Sequence, residues 1–116
     1  MKSPDRDLAY LDDILNAIKL IHAYMNNVSE DSFSANPEKQ DAVLRRIQII
    51  GEAVKKISDE TRRAYQDVPW REIAGMRDIV VHDYGGVTLP LIYRVATSDI
   101  LSLEKQIKKI RQQIAP

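Results

Sequence analysis

Apolar residues recur at three- and four-residue steps through most of this chain, the repeat of one face of an α-helix. Leu8, Leu11, Ile14, Leu15, Ile18, Ile21 and Met25 make the first run. Ser3, Pro4, Asp5 and Asp7 ahead of it supply a cap, a first-turn proline and acids for the positive helix end. Val43, Leu44, Ile47, Ile50, Val54 and Ile57 make a second run, opened by Asn36-Pro37-Glu38 and ending near Ser58. A third helix is predicted from Val68-Pro69-Trp70 through Met76 and Val80 to the pair Gly85-Gly86, which offers the left-handed backbone that stops helices. A fourth starts at Thr88-Leu89-Pro90, and Tyr93, Ala96, Ile100, Leu103, Ile107, Ile110 and Ile114 carry it almost to the C-terminus. The polar Asn26–Asn36 segment reads as a connection pinned by Phe33, and Asp59–Asp67 as a short helical turn followed by a loop. Ile79-Val80-Val81 is β-branched but too short, in a helical context, to make a strand. The pattern therefore predicts an all-α fold: an up-down-up-down four-helix bundle with an extra short helical turn, one domain over residues 1–116.

Single residues refine this picture. Gly51 interrupts the second helix, where a glycine costs about 1 kcal/mol relative to alanine. Either another backbone packs close to it, which is the expected reason, or a cleft needs the room. His22 falls on the buried face of the first helix and reads as a core-edge histidine bonded to a neighbouring helix. Trp70 is expected to anchor its helix end in the core. Arg45-Arg46, Lys55-Lys56 and the cations of the last helix, Lys105, Lys108, Lys109 and Arg111, read as solvated faces. A four-helix bundle of this size has a thin core, and the apolar seams left on the first and fourth helices suit a homodimer.

Charge changes the range of functions. Seventeen basic residues balance seventeen acidic ones, so any contact with RNA or DNA needs a local patch. The chain has no cysteine, which removes thiolate chemistry and fits a cytoplasmic location. No apolar run approaches the roughly 20 residues that span a bilayer, and the polar N-terminus is not followed by a signal-peptide core. Neither a cofactor nor a metal is expected.

The densest chemistry lies in Gly75-Met76-Arg77-Asp78-Ile79-Val80-Val81-His82-Asp83-Tyr84-Gly85-Gly86. On a continuous helix at about 100° per residue, Ile73, Met76, Val80 and Tyr84 share the core-facing arc, and Arg71, Gly75, Asp78 and His82 the opposite stripe. Asp78 would then meet His82 across one turn and orient its imidazole, as a carboxylate does for proton transfer. Gly75 leaves a gap in that stripe. Arg77 lies about 140° from His82 on such a helix, so a two-fold dimer is one way to bring arginines and histidines into a shared cleft. The same residues also fit a purely structural role: a surface Asp78–His82 pair, Arg77 in an interface and Tyr84 at the core edge.

The arrangement Arg77, four residues, His82, one residue, Tyr84 resembles the R-x-x-x-x-H-x-Y motif of the HepT-like toxins of the HEPN superfamily. Trp70-Arg71-Glu72-Ile73-Ala74-Gly75-Met76 and Ile50-Gly51-Glu52-Ala53 are similar to that family as well, and the likeness extends over the whole chain. The resemblance implies a HEPN-like helical bundle that forms homodimers and a toxin that cleaves RNA, with Arg77 and His82 as catalytic residues and Asp78 in support. It also implies a partner, an MntA-type nucleotidyltransferase antitoxin, that silences the toxin by attaching AMP to Tyr84. The competing reading is a non-catalytic, nucleotide-binding regulatory subunit of a nucleotidyltransferase complex. The neutral net charge leans that way, because free-standing RNA binders are usually basic.

Overall fold

Short polar side chains open the helices where the sequence places them. In the computed structural model, which describes residues 3–79 and 88–116, the Asn36 Oδ1 accepts from the Lys39 N–H at 3.1 Å. Pro37 follows as the first residue of α3, Pro37–Lys56. Ser58 caps α4, Asp59–Ala64, by accepting from the Thr61 N–H. The longest helix, α1 over Ser3–Met25, stops where Asn27 adopts a positive φ of 59°, a backbone that asparagine tolerates better than most residues. Beyond it lies an element that periodicity alone missed. The helix α2, Glu30–Ser34, is capped by Ser29, whose side chain accepts from the Ser32 N–H. Its signal was Ser29 followed by Glu30 and Asp31, a cap with acids in the first turn. Phe33 pins this segment as expected: it is fully buried, and its ring lies 5.8 Å from that of Tyr93.

The remaining elements are α5 over Trp70–Gly75, a 3-10 turn over Met76–Asp78, α6 over Thr88–Arg94, a π-helical turn over Val95–Asp99 and α7 over Ile100–Ile114. No strand occurs among the described residues. The fold is all-α and agrees with a HEPN-like helical bundle. Its directions follow from which ends meet. Asp7 near the start of α1 reaches Ser58 just past the end of α3, so α1 and α3 are antiparallel. Asp12 pairs with Arg111 and His22 with Glu104, so α7 also runs against α1. Gly51 lies against Arg77 and Gln48 against Ile79, so the α5 segment returns along α3.

Leu11, Ile14, Ile18 and Ile21 of α1, Val43, Ile47, Ile50 and Val54 of α3, and Ile100, Leu103, Ile107 and Ile110 of α7 fill the core. Four polar anchors secure it. Asp7, 2% exposed, accepts from the Ser58 N–H at 3.0 Å, the Ser58 hydroxyl at 2.7 Å and the Thr61 hydroxyl at 2.6 Å. A carboxylate that deep is tolerable because its oxygens are bonded. The indole N–H of Trp70 donates to the Tyr65 carbonyl at 3.0 Å, and that ring is buried as expected. His22 lies within 3.2 Å of Glu104, the helix-to-helix contact that its position implied. Arg111 pairs with Asp12, and that hydrogen bond, then the charge of the carboxylate, raises the guanidinium pKa further. Among the cations read as solvated, Arg46 departs: it is half-buried, and its Nε has no partner among the described residues.

Two predicted helices are not regular throughout. The third does not run on from Trp70 to the glycine pair, because α5 ends at Gly75, the chain tightens into the 3-10 turn, and Ile79 is extended with ψ 129°. The fourth is divided by the π turn. There the Thr97 hydroxyl donates to the Tyr93 carbonyl at 2.7 Å, a side-chain bond that competes with the helix ladder and distorts it.

Candidate functional site

Arg77 is placed by what α3 lacks. A Cβ built on Gly51 would come within 2.6 Å of the Arg77 amide nitrogen, 3.1 Å of its Cβ and 3.1 Å of the Ala74 carbonyl oxygen. Only a residue without a side chain lets the turn settle there, which confirms the close-packing reading of Gly51. One turn earlier on α3, Gln48 donates its side-chain amide to the Ile79 carbonyl at 2.8 Å. The Ile79 N–H donates in turn to the Met76 carbonyl at 3.2 Å. The 3-10 turn is therefore gripped at both ends by one face of α3.

From that seat the Arg77 side chain, 42% exposed, reaches outward. Its Nε lies 3.4 Å from Asp78 Oδ1, and Asp78 is 79% exposed. An ion pair this long and this wet contributes little stability; it leaves the guanidinium available to a ligand. The pair lines a cleft of about 350 Å³ together with Lys55, Arg62, Arg71, Ala74 and Gly75. A Cβ on Gly75 would meet nothing within 4 Å, so the gap expected at that position exists. Arg62 is fixed, its Nη2 donating to the Val54 carbonyl at 2.7 Å near the end of α3. Lys55 and Arg71 are exposed. Four cations thus face one carboxylate in a chain whose charges cancel overall.

The expected Asp78–His82 relation involves a residue outside the described ones, but the continuous helix assumed for it is not present. The helical phase stops at Ile79. Asp78 lies beside Arg77. His82 and Tyr84 lie outside the described residues, as does the glycine pair. Sequence reasoning places Arg71 on the same stripe as Gly75 and Asp78 but does not find Gln48, Lys55 and Arg62. Lys55 reads in the sequence as part of a solvated face, and nothing local marks these three as neighbours of Arg77.

A second cleft, of about 500 Å³, opens on the other side of α5, lined by Ile73, Met76, Ile79, Leu91 and Val95 with Glu72, Gly75, Arg94 and Asp99 at its polar margin. No described helix is long and apolar enough to cross a membrane.

Comparison with known proteins identifies the family. Residues 14–110 match the family model described as HepT-like, ribonuclease HepT-like. The chain belongs to the HepT-like family. It is 38% identical to the "Probable ribonuclease HepT" of Thermococcus cleftensis over 97% of this chain and 100% of that protein. It is 39% identical to a "Putative RNase" of Caldanaerobacter subterraneus subsp. tengcongensis over 97% of this chain and 98% of that one. A "Gamma-glutamylcyclotransferase and putative RNase" of Methanocaldococcus jannaschii is 45% identical over 90% of this chain, which spans only 47% of that longer protein. No solved structure matches the chain significantly.

Proposed function

We propose that this protein is a single-domain ribonuclease, the toxin of a cytoplasmic toxin–antitoxin pair, that cleaves RNA without a metal. The observation that carries the reading is the seat of Arg77: a motif arginine gripped by Gly51 and Gln48 at its backbone and exposed at its guanidinium in a cationic cleft. Family membership and the names of its relatives support it.

RNA carries its own nucleophile. The 2′-oxygen attacks the adjacent phosphorus, the bond to the 5′-oxygen breaks, and a cyclic phosphate and a free 5′-hydroxyl result. His82 takes the 2′-proton and returns one to the leaving oxygen, a task worth about 10²- to 10⁴-fold in rate. Arg77 holds the phosphate and stabilises its developing charge. Asp78 orients His82 for these transfers. Two chains pair as a homodimer so that arginine and histidine reach one phosphodiester. An MntA-type nucleotidyltransferase silences the toxin: the Tyr84 oxygen attacks the α-phosphorus of ATP, pyrophosphate leaves, and the phenolic proton passes to solvent. The adduct places negative charge and bulk two residues from His82, where it opposes RNA entry.

The test is RNA cleavage in EDTA by the intact protein, Arg77→Ala and His82→Ala, with folding followed by circular dichroism. The expected result is loss of cleavage in both folded variants. Full activity in either overturns the assigned roles. Intact RNA with every form, together with binding of ATP or of the transferase, selects the regulatory-subunit reading instead.

A further inference from the structure

We infer that Lys55, Arg62 and Arg71 form a second phosphate subsite beside Arg77, which holds the backbone of single-stranded RNA next to the bond that is cut. The inference rests on the ribonuclease reading and adds to it a track for the substrate.

Four separate elements build this cleft. Lys55 comes from the last turn of α3, Arg62 from α4, Arg71 from the start of α5 and Arg77 from the 3-10 turn. Their convergence is not a by-product of one helix presenting a charged face. It depends on two structural contacts already described, the Asp7 anchor that fixes the junction of α3 with α4 and the Gly51 contact that draws α5 onto α3. Cations gathered this way repel one another, and a fold under no other demand intersperses acids among them. Here the cleft holds one carboxylate, Asp78. Among the described residues none of Lys55, Arg62 and Arg71 is ion-paired. Arg62 has surrendered one N–H to the Val54 carbonyl, so its guanidinium is fixed in place before any ligand arrives, which lowers the ordering cost of binding. Gly75 exposes backbone in the same wall, with space where a side chain would stand.

A phosphodiester satisfies this chemistry: it is anionic, rich in acceptors and repeated along a flexible chain. A local site of this kind also explains how a chain of zero net charge holds a polyanion, since only nearby charges act across about 8 to 10 Å of physiological salt.

The experiment measures binding of a fluorescent 12-nucleotide single strand, methylated at every 2′-oxygen so that it is not cut, to the full chain over a salt series. Each phosphate contact on a single strand contributes about 0.7 to the slope of log K against log salt. The Lys55→Gln/Arg71→Gln variant is expected to lose about 1.4 from that slope and at least tenfold in affinity at low salt, with an unchanged melting temperature. A matched control, Lys105→Gln/Lys109→Gln, removes two exposed charges from α7 and is expected to leave the slope within error. An unchanged slope in the first variant, an equal drop in the control, or no binding by the unaltered chain overturns the subsite. The two proposals fail separately. Absent cleavage with the slope difference intact rejects the ribonuclease reading alone, and normal cleavage with no slope difference rejects the subsite alone.

Discussion

Two glycines one helix apart ask opposite things of a methyl group. Gly51 is buried, and a Cβ on it would lie 2.6 Å from the Arg77 nitrogen, closer than packed atoms tolerate. Gly51→Ala gains about 1 kcal/mol of helix propensity and loses more to overpacking, typically about 1 to 3 kcal/mol. The expected net is a destabilisation of about 1 kcal/mol, read as a lower urea midpoint. Because the displaced group is the backbone of Arg77, cleavage should fall by about tenfold to a hundredfold, the usual effect of a catalytic group misplaced by an ångström. Gly75 has helical backbone, with φ −65° and ψ −19°, and open space around it. Gly75→Ala should therefore stabilise the fold by up to about 1 kcal/mol, read as a higher urea midpoint. Shifts of the same sign in the two variants would contradict the packing described for the turn. The sequence showed that Gly51 needed a reason and favoured close packing over a cleft. Which backbone approached it was a tertiary fact, invisible to any local pattern.

The helices that the sequence located well are those whose ends are capped locally. Asn36-Pro37 opens α3 and Ser58 opens α4 by contacts within a few residues, so sequence order contains the whole signal. The third predicted helix failed for the opposite reason. Met76, Arg77 and Asp78 suit a helix, and the apolar period continues through Val80, but the turn is set by α3. Gln48, an unremarked polar residue 31 positions earlier, takes the Ile79 carbonyl at 2.8 Å and so fixes the chain where the helix stops. That tether is testable. Gln48→Ala removes one partly buried hydrogen bond, at about 1 kcal/mol, and leaves the core untouched. The expected variant is nearly as stable as the parent yet slower at cleaving RNA, chiefly in kcat, because the turn that presents Arg77 is no longer held. Gln48→Leu, which fills the space without donating, should be as slow. Unchanged cleavage in both would show that the tether does not position Arg77. The candidate site was legible in the same uneven way. Arg77 stood out through its motif, whereas Lys55, Arg62 and Arg71 come from three elements whose meeting no spacing along the chain announces.

At the scale of the whole molecule, exposed apolar surface is what motivates the proposed pair of chains. Leu20 on α1 and Leu101 on α7 are large apolar side chains left 38% and 47% exposed. The apolar cleft beside α5 adds Ile73, Met76, Leu91 and Val95. A second copy covers such surfaces at low cost, since one set of residues serves both sides of a two-fold axis. The full chain should accordingly sediment at twice its 13.3 kDa mass. Mass alone does not show that the partner completes the site, but mixing does. Arg77→Ala and His82→Ala homodimers each lack one essential group everywhere. Where a site draws arginine from one chain and histidine from the other, a mixed dimer has one site missing both groups and one site intact. Random exchange makes about half the dimers mixed with half their sites competent, so about a quarter of the parent activity should return. Where both groups come from the same chain, no mixed dimer holds a complete site and none returns. Sequential affinity purification on two different tags isolates the mixed dimers, whose cleavage in EDTA should then reach about half that of the parent: recovery places the scissile phosphate between two chains, and its absence places the whole reaction within one.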